Sequence, residues 1–588
     1  MTTEIAARAE APVAAAAEPH TPWCAERSVR GKEWGVPAVV SAEAPEGIRP
    51  EAAMVARRRG VADVEAYFRP SLASAMPDPD LLPNMTEAVR LVCDAVEAKT
   101  AIGVYGDYDV DGATSVALVL RWLRLVGREA VFHIPDRLSE GYGVSAGGVE
   151  RLHGEGVRFL IVADSGTAAI APLARARELG MTAVVFDHHE PGEELPDAVL
   201  VNPLLAEGRT YRYLCSAGIV FMMLVGANRE LDRRGFFAAR TKPDLRTLLG
   251  LVALGTVADV VPLVGLNRAF VATGIARMDA VEGMRALTRA TRQPDYTVAA
   301  LGFVFGPCIN AAGRIDDTRL GTVLLSSDDA EECGRLAVEL ERINRERQEL
   351  QKRMVDDAVA RAASEAPSSP ALLMHDPEWH PGVIGLVASK LRELFDRPAV
   401  VVGAGGRASC RSVEGFDVGA AVIAAREADI LAAGGGHPMA AGFTIDPARL
   451  GEFRDFIMPR AAAAPRPATA VDLVVPAGQL TPDLVEAVKT LAPFGAGNPN
   501  VRIALVGGVV RRVVEIKGRH IKLFLRGTRG ETQAILFSGV GTPLGEALRY
   551  TEGCPVDLLG TATVDTYNGV DSATLKPEDA MIGSLLRV

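Results

Sequence analysis

The segment Val104-Tyr-Gly-Asp-Tyr-Asp-Val-Asp-Gly-Ala-Thr114 constrains the fold more than any other. It follows an apolar run at 101–104 and leads into a helix-favouring stretch at 115–125. Two more apolar runs end in a similar way, at Asp164-Ser165-Gly166 and at Asp187-His188-His189-Glu190. Apolar runs that alternate with helical stretches predict a parallel sheet flanked by helices. The strands are expected at 101–106, 130–134, 159–163, 183–186 and 199–201. In such sheets, functional groups gather at the carboxyl ends of the strands.

A further acidic point, Asp259, sits in Gly255-Thr-Val-Ala-Asp-Val-Val-Pro262. Carboxylates and imidazoles at several strand ends make a hard to borderline divalent-metal site. With shared ligands, two ions about 3.5–4 Å apart can hydrolyse a phosphate ester. The spacing Asp107-x-Asp109-x-Asp111-Gly112 also opens a helix–loop–helix calcium loop, which needs Glu at its twelfth position. That position is Leu118, and the flanks read as strand and helix. A phosphotransferase with an aspartyl nucleophile would leave Asp187-His188-His189 unexplained. A purely structural role for those three is disfavoured, because buried charged groups need partners.

Composition narrows the class. A chain of 588 residues with 48% hydrophobic content holds full cores, in about three or four domains. No run reaches the ~18 uninterrupted apolar residues of a membrane span. The start, Met-Thr-Thr-Glu-Ile, lacks the basic residues of a secretory signal. Seven cysteines, Cys24, Cys93, Cys215, Cys308, Cys333, Cys410 and Cys554, form no Cys-x-x-Cys pair. That pattern predicts reduced cytoplasmic thiols used as small buried hydrophobes. The formal charge of −11 argues against a protein that coats nucleic acid. It leaves room for a local basic groove, since binding follows the local field.

Residues 1–27 are Ala-, Pro- and Glu-rich and predict a disordered tail. A charge-laced helical stretch at 330–363 carries Arg342, Arg345, Arg347, Lys352 and Arg353. It reads either as a solvated connecting helix or as one lining a strand-binding groove. Glu365-Ala-Pro-Ser-Ser-Pro370 then breaks the chain. A second α/β unit follows, with strands expected at 371–374 and 399–402. After the linker Ala461-Ala-Ala-Ala-Pro-Arg-Pro467, short strands at 501–506, 509–516, 520–525, 532–537, 556–564 and 572–575 predict a small barrel. Two of its turns are read at Lys517-Gly518-Arg519 and Tyr567-Asn568-Gly569. In the barrel, Arg511, Arg512, Lys517, Arg519, Lys522, Arg526 and Arg529 outnumber Glu515 and Glu531, with Phe524 interleaved. Basic strands with an aromatic suit single-stranded nucleic acid, which binds by phosphate contacts and base stacking. Solubilising surface charge is the alternative.

The strand-end carboxylates and Asp187-His188-His189 resemble the DHH phosphoesterase superfamily. Pro307-Cys-Ile-Asn-Ala-Ala-Gly-Arg314, Gly382-Val-Ile-Gly-Leu-Val-Ala-Ser389, Gly434-Gly-Gly-His-Pro-Met-Ala-Ala-Gly442 and Leu491-Ala-Pro-Phe-Gly-Ala-Gly-Asn-Pro499 resemble the successive signatures of its RecJ exonuclease family. The resemblance covers roughly residue 30 to the C-terminus, and the ordered set is more specific than any single motif. It implies a DHH catalytic domain over 28–325, a connecting helix over 326–365, a mixed α/β DHHA1 substrate-binding domain over 366–460 and an OB-fold barrel over 465–588. Tyr105 and Ser165 stand where some members of the superfamily carry His and Asn, and both adjoin the expected metal shell.

On this reading Asp109, Asp111, Asp164, His188 and Asp259 bind two Mn²⁺ or Mg²⁺ ions, the histidine favouring Mn²⁺ slightly. Asp107 is a direct or supporting member. Asp164 is the bridging candidate, since a carboxylate has two oxygens to share. His189 orients ligands or contacts the scissile phosphate, and Asp187 anchors the turn or a histidine ring nitrogen. The resemblance also implies that Arg137, Arg314, Ser409, Arg411 and His437 bind phosphates, some of them capping a 5′-terminal phosphate. In Ser409-Cys-Arg-Ser412 the period of two puts Ser409 and Arg411 on one side of an extended segment. Three glycines before His437 permit close backbone approach.

The implied activity is 5′→3′ hydrolysis of single-stranded DNA in repair and recombination. Single-strand-binding protein and a recombination helicase are the expected partners, with no membrane. An oligonucleotide or cyclic-dinucleotide phosphodiesterase of the same superfamily would not need the barrel. A non-catalytic replication scaffold would show eroded carboxylates, which are intact here. A binding-only barrel protein would leave the metal cluster unexplained.

Overall fold

The computed structural model describes residues 28–35, 38–136, 140–141, 143–207, 211–315, 317–365, 369–567 and 569–583. The expected tail at 1–27 and the residues Arg137 and Asn568 lie outside the described residues. The described chain forms two units. One comprises Arg69–Arg347 and Ala492–Pro499; the other takes the residues up to Phe68, then Gln348–Leu491 and those from Asn500 on.

In the first unit, β1 (Ile102–Tyr105), β2 (Ala130–His133), β3 (Phe159–Ala163), β4 (Thr182–Phe186) and β5 (Val199–Val201) form one sheet. Its order is β2-β1-β3-β4-β5, and every pairing is parallel. The five expected strands are all present. β1 and β3 are buried along their whole length, as strands covered on both faces must be. One face packs on the helices Met85–Glu97, Val110–Leu125, Ser216–Arg233 and Leu249–Ala258 in the main core. The other packs on Ala146–Gly154 and Ile170–Glu178 around Tyr105, Leu160 and Val162. After β2 the chain returns to the far side of β1, so strand order reverses between β1 and β3. That switch point is where open α/β sheets leave a crevice at the strand ends.

The second unit holds two sheets. The first joins β6 (Leu372–His375), β7 (Ala399–Val402), β8 (Arg407–Arg411), β9 (Ala433–His437) and β10 (Ala440–Thr444) in the order β6-β7-β8-β10-β9. Only β6 and β7 run parallel. The other sheet contains β11 (Leu473–Pro476), β12 (Ile503–Ile516), β13 (His520–Gly527), β14 (Gly530–Leu536), β15 (Pro555–Tyr567) and β16 (Val570–Ile582). Pairing of β12 with β15 closes five of these strands into a barrel, with β11 added alongside β12. Two expected strands, 501–506 and 509–516, are one strand, β12. Gly507 takes φ +68, and the register against β15 shifts between Leu505 and Gly508. A bulge of this kind bends a strand without ending it.

The charged stretch after 330 is one helix, Ala330–Glu365. Its Cys333, Leu336, Ala337 and Leu340 enter the first unit's core. Its Met354, Ala358 and Ala362 pack in the second unit with the helix Ile384–Phe395. Residues 28–68, read from the sequence as the start of the catalytic domain, cluster with the second unit. Trp34 is fully buried against the barrel and donates through Nε1 to Asp579 Oδ2 at 3.1 Å.

Candidate functional site

The acidic segment after β1 turns straight into the helix Val110–Leu125. Asp109 caps that helix, its Oδ1 accepting from the Gly112 amide at 3.0 Å. The helix therefore starts at Val110, five residues earlier than the sequence suggested, and takes Asp111 into its first turn. Gly112 is required by space: a Cβ there would lie 2.4 Å from the Asp107 carbonyl oxygen.

Asp111 is 1% exposed and held by a second helix N-terminus. Its Oδ2 accepts from the Ser216 amide at 2.7 Å and its Oδ1 from the Ala217 amide at 3.0 Å. Both amides open the helix Ser216–Arg233, where free N–H groups and the dipole favour an anion. Asp164 follows β3 in a left-handed conformation, φ +62. Its Oδ1 accepts from the Ser216 hydroxyl at 3.0 Å.

At the end of β4, Asp187 folds back on its own turn. Its Oδ1 takes the amides of His188 (2.8 Å) and His189 (3.2 Å) and lies 2.7 Å from His189 Nδ1. Its Oδ2 takes the Thr167 amide at 2.9 Å. Asn202, just beyond β5, donates to the His189 carbonyl at 2.8 Å and to the Thr167 hydroxyl at 3.0 Å. These contacts leave the His188 ring facing the carboxylates. His188 Nε2 lies 3.4 Å from Asp164 Oδ1, 3.6 Å from Asp259 Oδ2 and 3.9 Å from Asp111 Oδ2. Asp259 ends the helix Leu249–Ala258, and its buried Oδ2 has no hydrogen-bond partner.

Potential ligand atoms form three overlapping sets, each within 4.8 Å: Asp164, His188 and His189; Asp111, His188 and Asp259; Asp107, Asp109 and Asp164. Asp164 joins two sets and His188 joins two. Burial raises the carboxyl pKa of Asp111, Asp164 and Asp259, and charge from neighbouring carboxylates raises it further. Burial lowers the pKa of His188, which keeps its imidazole neutral despite the acids. Burial alone would do the same to His189, but the contact with Asp187 outweighs it and raises that pKa. Burial likewise opposes ionisation of Asp187, yet its donors from His189 and Thr167 hold it well below the ordinary carboxylate value.

This donor set suits divalent cations. Five crowded carboxylates repel one another, Asp259 carries an unsatisfied oxygen, and the imidazole beside them is unprotonated. Each feature is relieved by a bound cation. Tyr105 stands apart from the cluster. Its hydroxyl donates to the Gly143 carbonyl at 3.2 Å and accepts from the Ser145 amide at 3.1 Å, on the sheet's other face. Ser165 is buried, and its hydroxyl has no hydrogen-bond partner.

The expected phosphate-binding residues fall in different places. Arg137 lies outside the described residues. Arg314 ends the helix Gly306–Ile315, and the neighbouring Gly313 packs against the Tyr108 carbonyl of the acidic segment. In the second unit, Arg411, Ala440 and His437 stand in register across β8, β10 and β9. Arg411 Nη1 donates to the Ser409 hydroxyl at 3.2 Å. Gly385 brings the helix Ile384–Phe395 onto the same pair, since a Cβ there would lie 3.1 Å from Ser409 Oγ.

On the barrel, Arg512, Phe524 and Gln533 are in register across β12, β13 and β14. Lys522 Nζ sits 5.1 Å from the centre of the Phe524 ring. Arg511 is paired with Glu531, and Arg519 donates to the Ser538 hydroxyl. Lys517 occupies the β12–β13 turn at φ +55.

Sequence reasoning missed Ser216, Ala217, Thr167 and Asn202. None belongs to an acidic or histidine motif. The available signal was indirect: Ser216 opens a long helix, and such an N-terminus seeks an anion.

Three family models match in order: DHH family, N-terminal domain, over 101–256; DHHA1 domain over 368–461; and RecJ OB domain over 471–579. Three curated relatives are each named single-stranded-DNA-specific exonuclease RecJ. That of Bacillus subtilis is 31% identical, covering 86% of this chain and 64% of its own length. That of Salmonella typhimurium is 34% identical, covering 73% and 77%. That of Thermus thermophilus is 36% identical, covering 82% and 69%. Among solved structures, RecJ from Thermus thermophilus in complex with Mn²⁺ matches with a TM-score of 0.77 at 30% identity, over 91% of this chain and 76% of that one. The Mg²⁺ complex matches with a TM-score of 0.71 at 28% identity, over 91% and 74%.

Proposed function

Because the chain belongs to the RecJ family of single-stranded-DNA-specific exonucleases, we propose that it degrades single-stranded DNA from the 5′ end by two-metal hydrolysis of the phosphodiester bond. The observation that supports this most is the convergence of Asp107, Asp109, Asp111, Asp164, His188 and Asp259 in overlapping sets of ligand atoms. The chain spans 64% of the Bacillus subtilis relative, so the activity is argued from the residues present.

Asp109, Asp111, Asp164, His188 and Asp259 hold two Mn²⁺ or Mg²⁺ ions, with Asp107 in support. When bound, such ions stabilise charge on the reacting phosphate and activate the attacking water. The protein's own residues prepare that chemistry. Ser216 and Ala217 fix Asp111, and Ser216 also fixes Asp164. Asp187 sets the ring of His189, which orients ligands or contacts the scissile phosphate. Arg137 and Arg314 bind the strand's phosphates, and Ser409, Arg411 and His437 hold the terminal one. Arg511, Arg512, Lys517, Arg519, Lys522 and Phe524 grip the strand further along by phosphate contact and stacking. The proposed division of labour is a DHH catalytic domain within 28–325, of which 28–68 clusters with the second unit, a DHHA1 domain over 366–460 and an OB barrel over 465–588.

In the cell the enzyme acts in the cytoplasm on strands unwound by a recombination helicase and covered by single-strand-binding protein. The test gives purified protein, with Mn²⁺ or Mg²⁺, 5′- and 3′-labelled single-stranded DNA and blunt duplex. Single-stranded DNA should be consumed with early release of the 5′ label, and duplex should resist. Duplex loss at an equal rate, or cleavage without divalent metal, overturns the assignment.

A further inference from the structure

In the first unit, the two large apolar side chains most exposed among the described residues are Phe303 (83%) and Val260 (70%). Both border Asp259. Val260 follows it directly, at φ +60. Phe303 sits on a π-helical turn, Leu301–Phe305, that lies against the end of the helix carrying Asp259. A Cβ on Gly302 would lie 3.6 Å from Val257, and one on Gly306 would lie 3.5 Å from Ala258. A π turn inside a helix is uncommon and often marks a functional site.

The π turn runs without a break into Gly306–Ile315. Along this continuous helix, Leu301, Phe305, Cys308, Ile309 and Ala312 are buried. Phe303 is exposed and Gly302, Val304, Pro307, Asn310 and Arg314 are half-buried; among them Phe303, Pro307, Asn310 and Arg314 are spaced by four, three and four. That spacing places them on one face. At one end stands an unshielded aromatic ring beside Asp259. At the other stands Arg314, next to Gly313, which touches the Tyr108 carbonyl between Asp107 and Asp109. Between them, Asn310 is half-buried, and its Oδ1 is turned into the protein. The face is about 16 Å long, at 1.5 Å per residue. It runs from an aromatic ring on the turn packed against Val257 and Ala258 to a guanidinium next to Gly313, which faces Tyr108 of the acidic segment.

We propose that Phe303 is a base-stacking platform for the strand cleaved at the metal cluster, the far end of a strand track that Arg314 completes. This rests on the single-strand exonuclease reading and adds a contact to it. A base has a π face whatever its sequence, so the platform holds register without choosing sequence. Fixing the base beside the scissile bond positions its phosphate, a large part of phosphoryl-transfer catalysis.

The test compares the full chain with Phe303→Ala, Phe303→Leu and Phe303→Tyr. Strand affinity is measured in EDTA with single-stranded DNA carrying 2-aminopurine at successive positions. Mn²⁺ binding is followed by electron paramagnetic resonance, and turnover by KM and kcat. Native protein should quench 2-aminopurine at one position near the strand end. Phe303→Ala and Phe303→Leu should lose that quench, weaken strand binding about five-fold or more and raise KM. Phe303→Tyr should restore all three, and Mn²⁺ affinity should be unchanged throughout. Unaltered affinity and quench in Phe303→Ala overturn the platform alone, as does a fall in Mn²⁺ affinity, which would make Phe303 a prop for Asp259. Failure of the native protein to bind any single strand overturns both the platform and the exonuclease reading.

Discussion

The Ser216 hydroxyl donates to Asp164 Oδ1 at 3.0 Å, while the Ser216 amide donates to Asp111 Oδ2 at 2.7 Å. One residue thus aligns two carboxylates from different elements. Removing the hydroxyl leaves the amide in place and frees only Asp164 to turn. Ser216→Ala should therefore weaken Mn²⁺ binding and kcat by about 10-fold, the lower range for such supporting contacts. The melting temperature of the metal-free protein should change little. Native Mn²⁺ affinity in a folded Ser216→Ala protein would show that Asp164 is held by other means.

Asp164 belongs to two of the three ligand sets, so its loss damages the whole cluster. Asp164→Ala should lower cleavage about 10³-fold or more, since the ions are worth several kcal/mol of transition-state stabilisation. Binding of a long single strand should persist, because the basic barrel face is separate from this cluster in sequence. His188→Ala should behave alike. Near-native hydrolysis by Asp164→Ala after metal stripping and Mn²⁺ reloading would refute the two-metal assignment.

The same carboxylates should burden the metal-free fold. Asp111, Asp164 and Asp259 have pKa values raised in the folded state, above the ordinary 3.8. Each then contributes stability that is fully present below about pH 4 and is lost as pH rises through the raised value. Asp164→Asn removes one such charge. In EDTA, the variant should melt higher than native protein, and the gap should widen as pH rises from about 4 to about 8. Saturating Mn²⁺ should close or reverse the gap, because the ion stabilises only the state that can bind it. Thermal scans across pH with and without metal decide the point. A gap independent of pH would mean that these groups titrate alike in both states.

Much of the architecture was legible because strand ends announce themselves. Apolar runs of the right length gave all five strands of the first sheet, and their terminal acids gave the metal cluster. In the second unit, β9 is Ala433-Gly-Gly-Gly-His437, a sequence with almost no strand preference, held in place by its ladder to β10. Neither it nor β10 was expected. The anchoring of Asp111 was equally hidden, since backbone amides of a helix more than a hundred residues away carry no residue signature. The cross-strand pairing of Arg511 with Glu531 was hidden too, since nothing in the sequence sets the register of β12, β13 and β14.

The barrel's contribution is best tested by substitution. Ala492–Pro499 belongs to the first unit, where Leu263 N donates to the Ala496 carbonyl at 2.8 Å and Arg268 Nη2 to the Ala492 carbonyl at 2.7 Å. Cutting the chain near residue 466 would remove this packing as well as the barrel. The triple change Arg512→Ala, Lys522→Ala, Phe524→Ala strips one basic and aromatic face and spares that segment. Long-strand affinity should fall, and the slope of log K against log salt should flatten by roughly 1.4 for two lost phosphate contacts. Cleavage of short oligonucleotides should continue. Equal binding at every salt concentration would make these side chains mere solvated surface.

Polarity should depend on Arg411. Its guanidinium donates to the Ser409 hydroxyl at 3.2 Å and to the neighbouring Cys410 carbonyl at 2.8 Å, and it makes no ion pair among the described residues. Burial lowers its pKa, and the charge of Arg392 lowers it further. A desolvated cation crowded by another gains strongly from an anion, and a terminal phosphate offers two charges and a bidentate edge. Holding the strand end there would select an end over a random internal position. Native protein should then prefer a 5′-phosphate to a 5′-hydroxyl, and Arg411→Ala should lose that preference, a change of about 10-fold or more for a charge-assisted pair. His437, in register with Arg411 through Ala440, should show a smaller effect in the same direction. The deciding measurement is the order of product release from end-labelled strands. Early release of the 3′ label, or equal attack on closed circular single strands, would refute capture of the 5′ end.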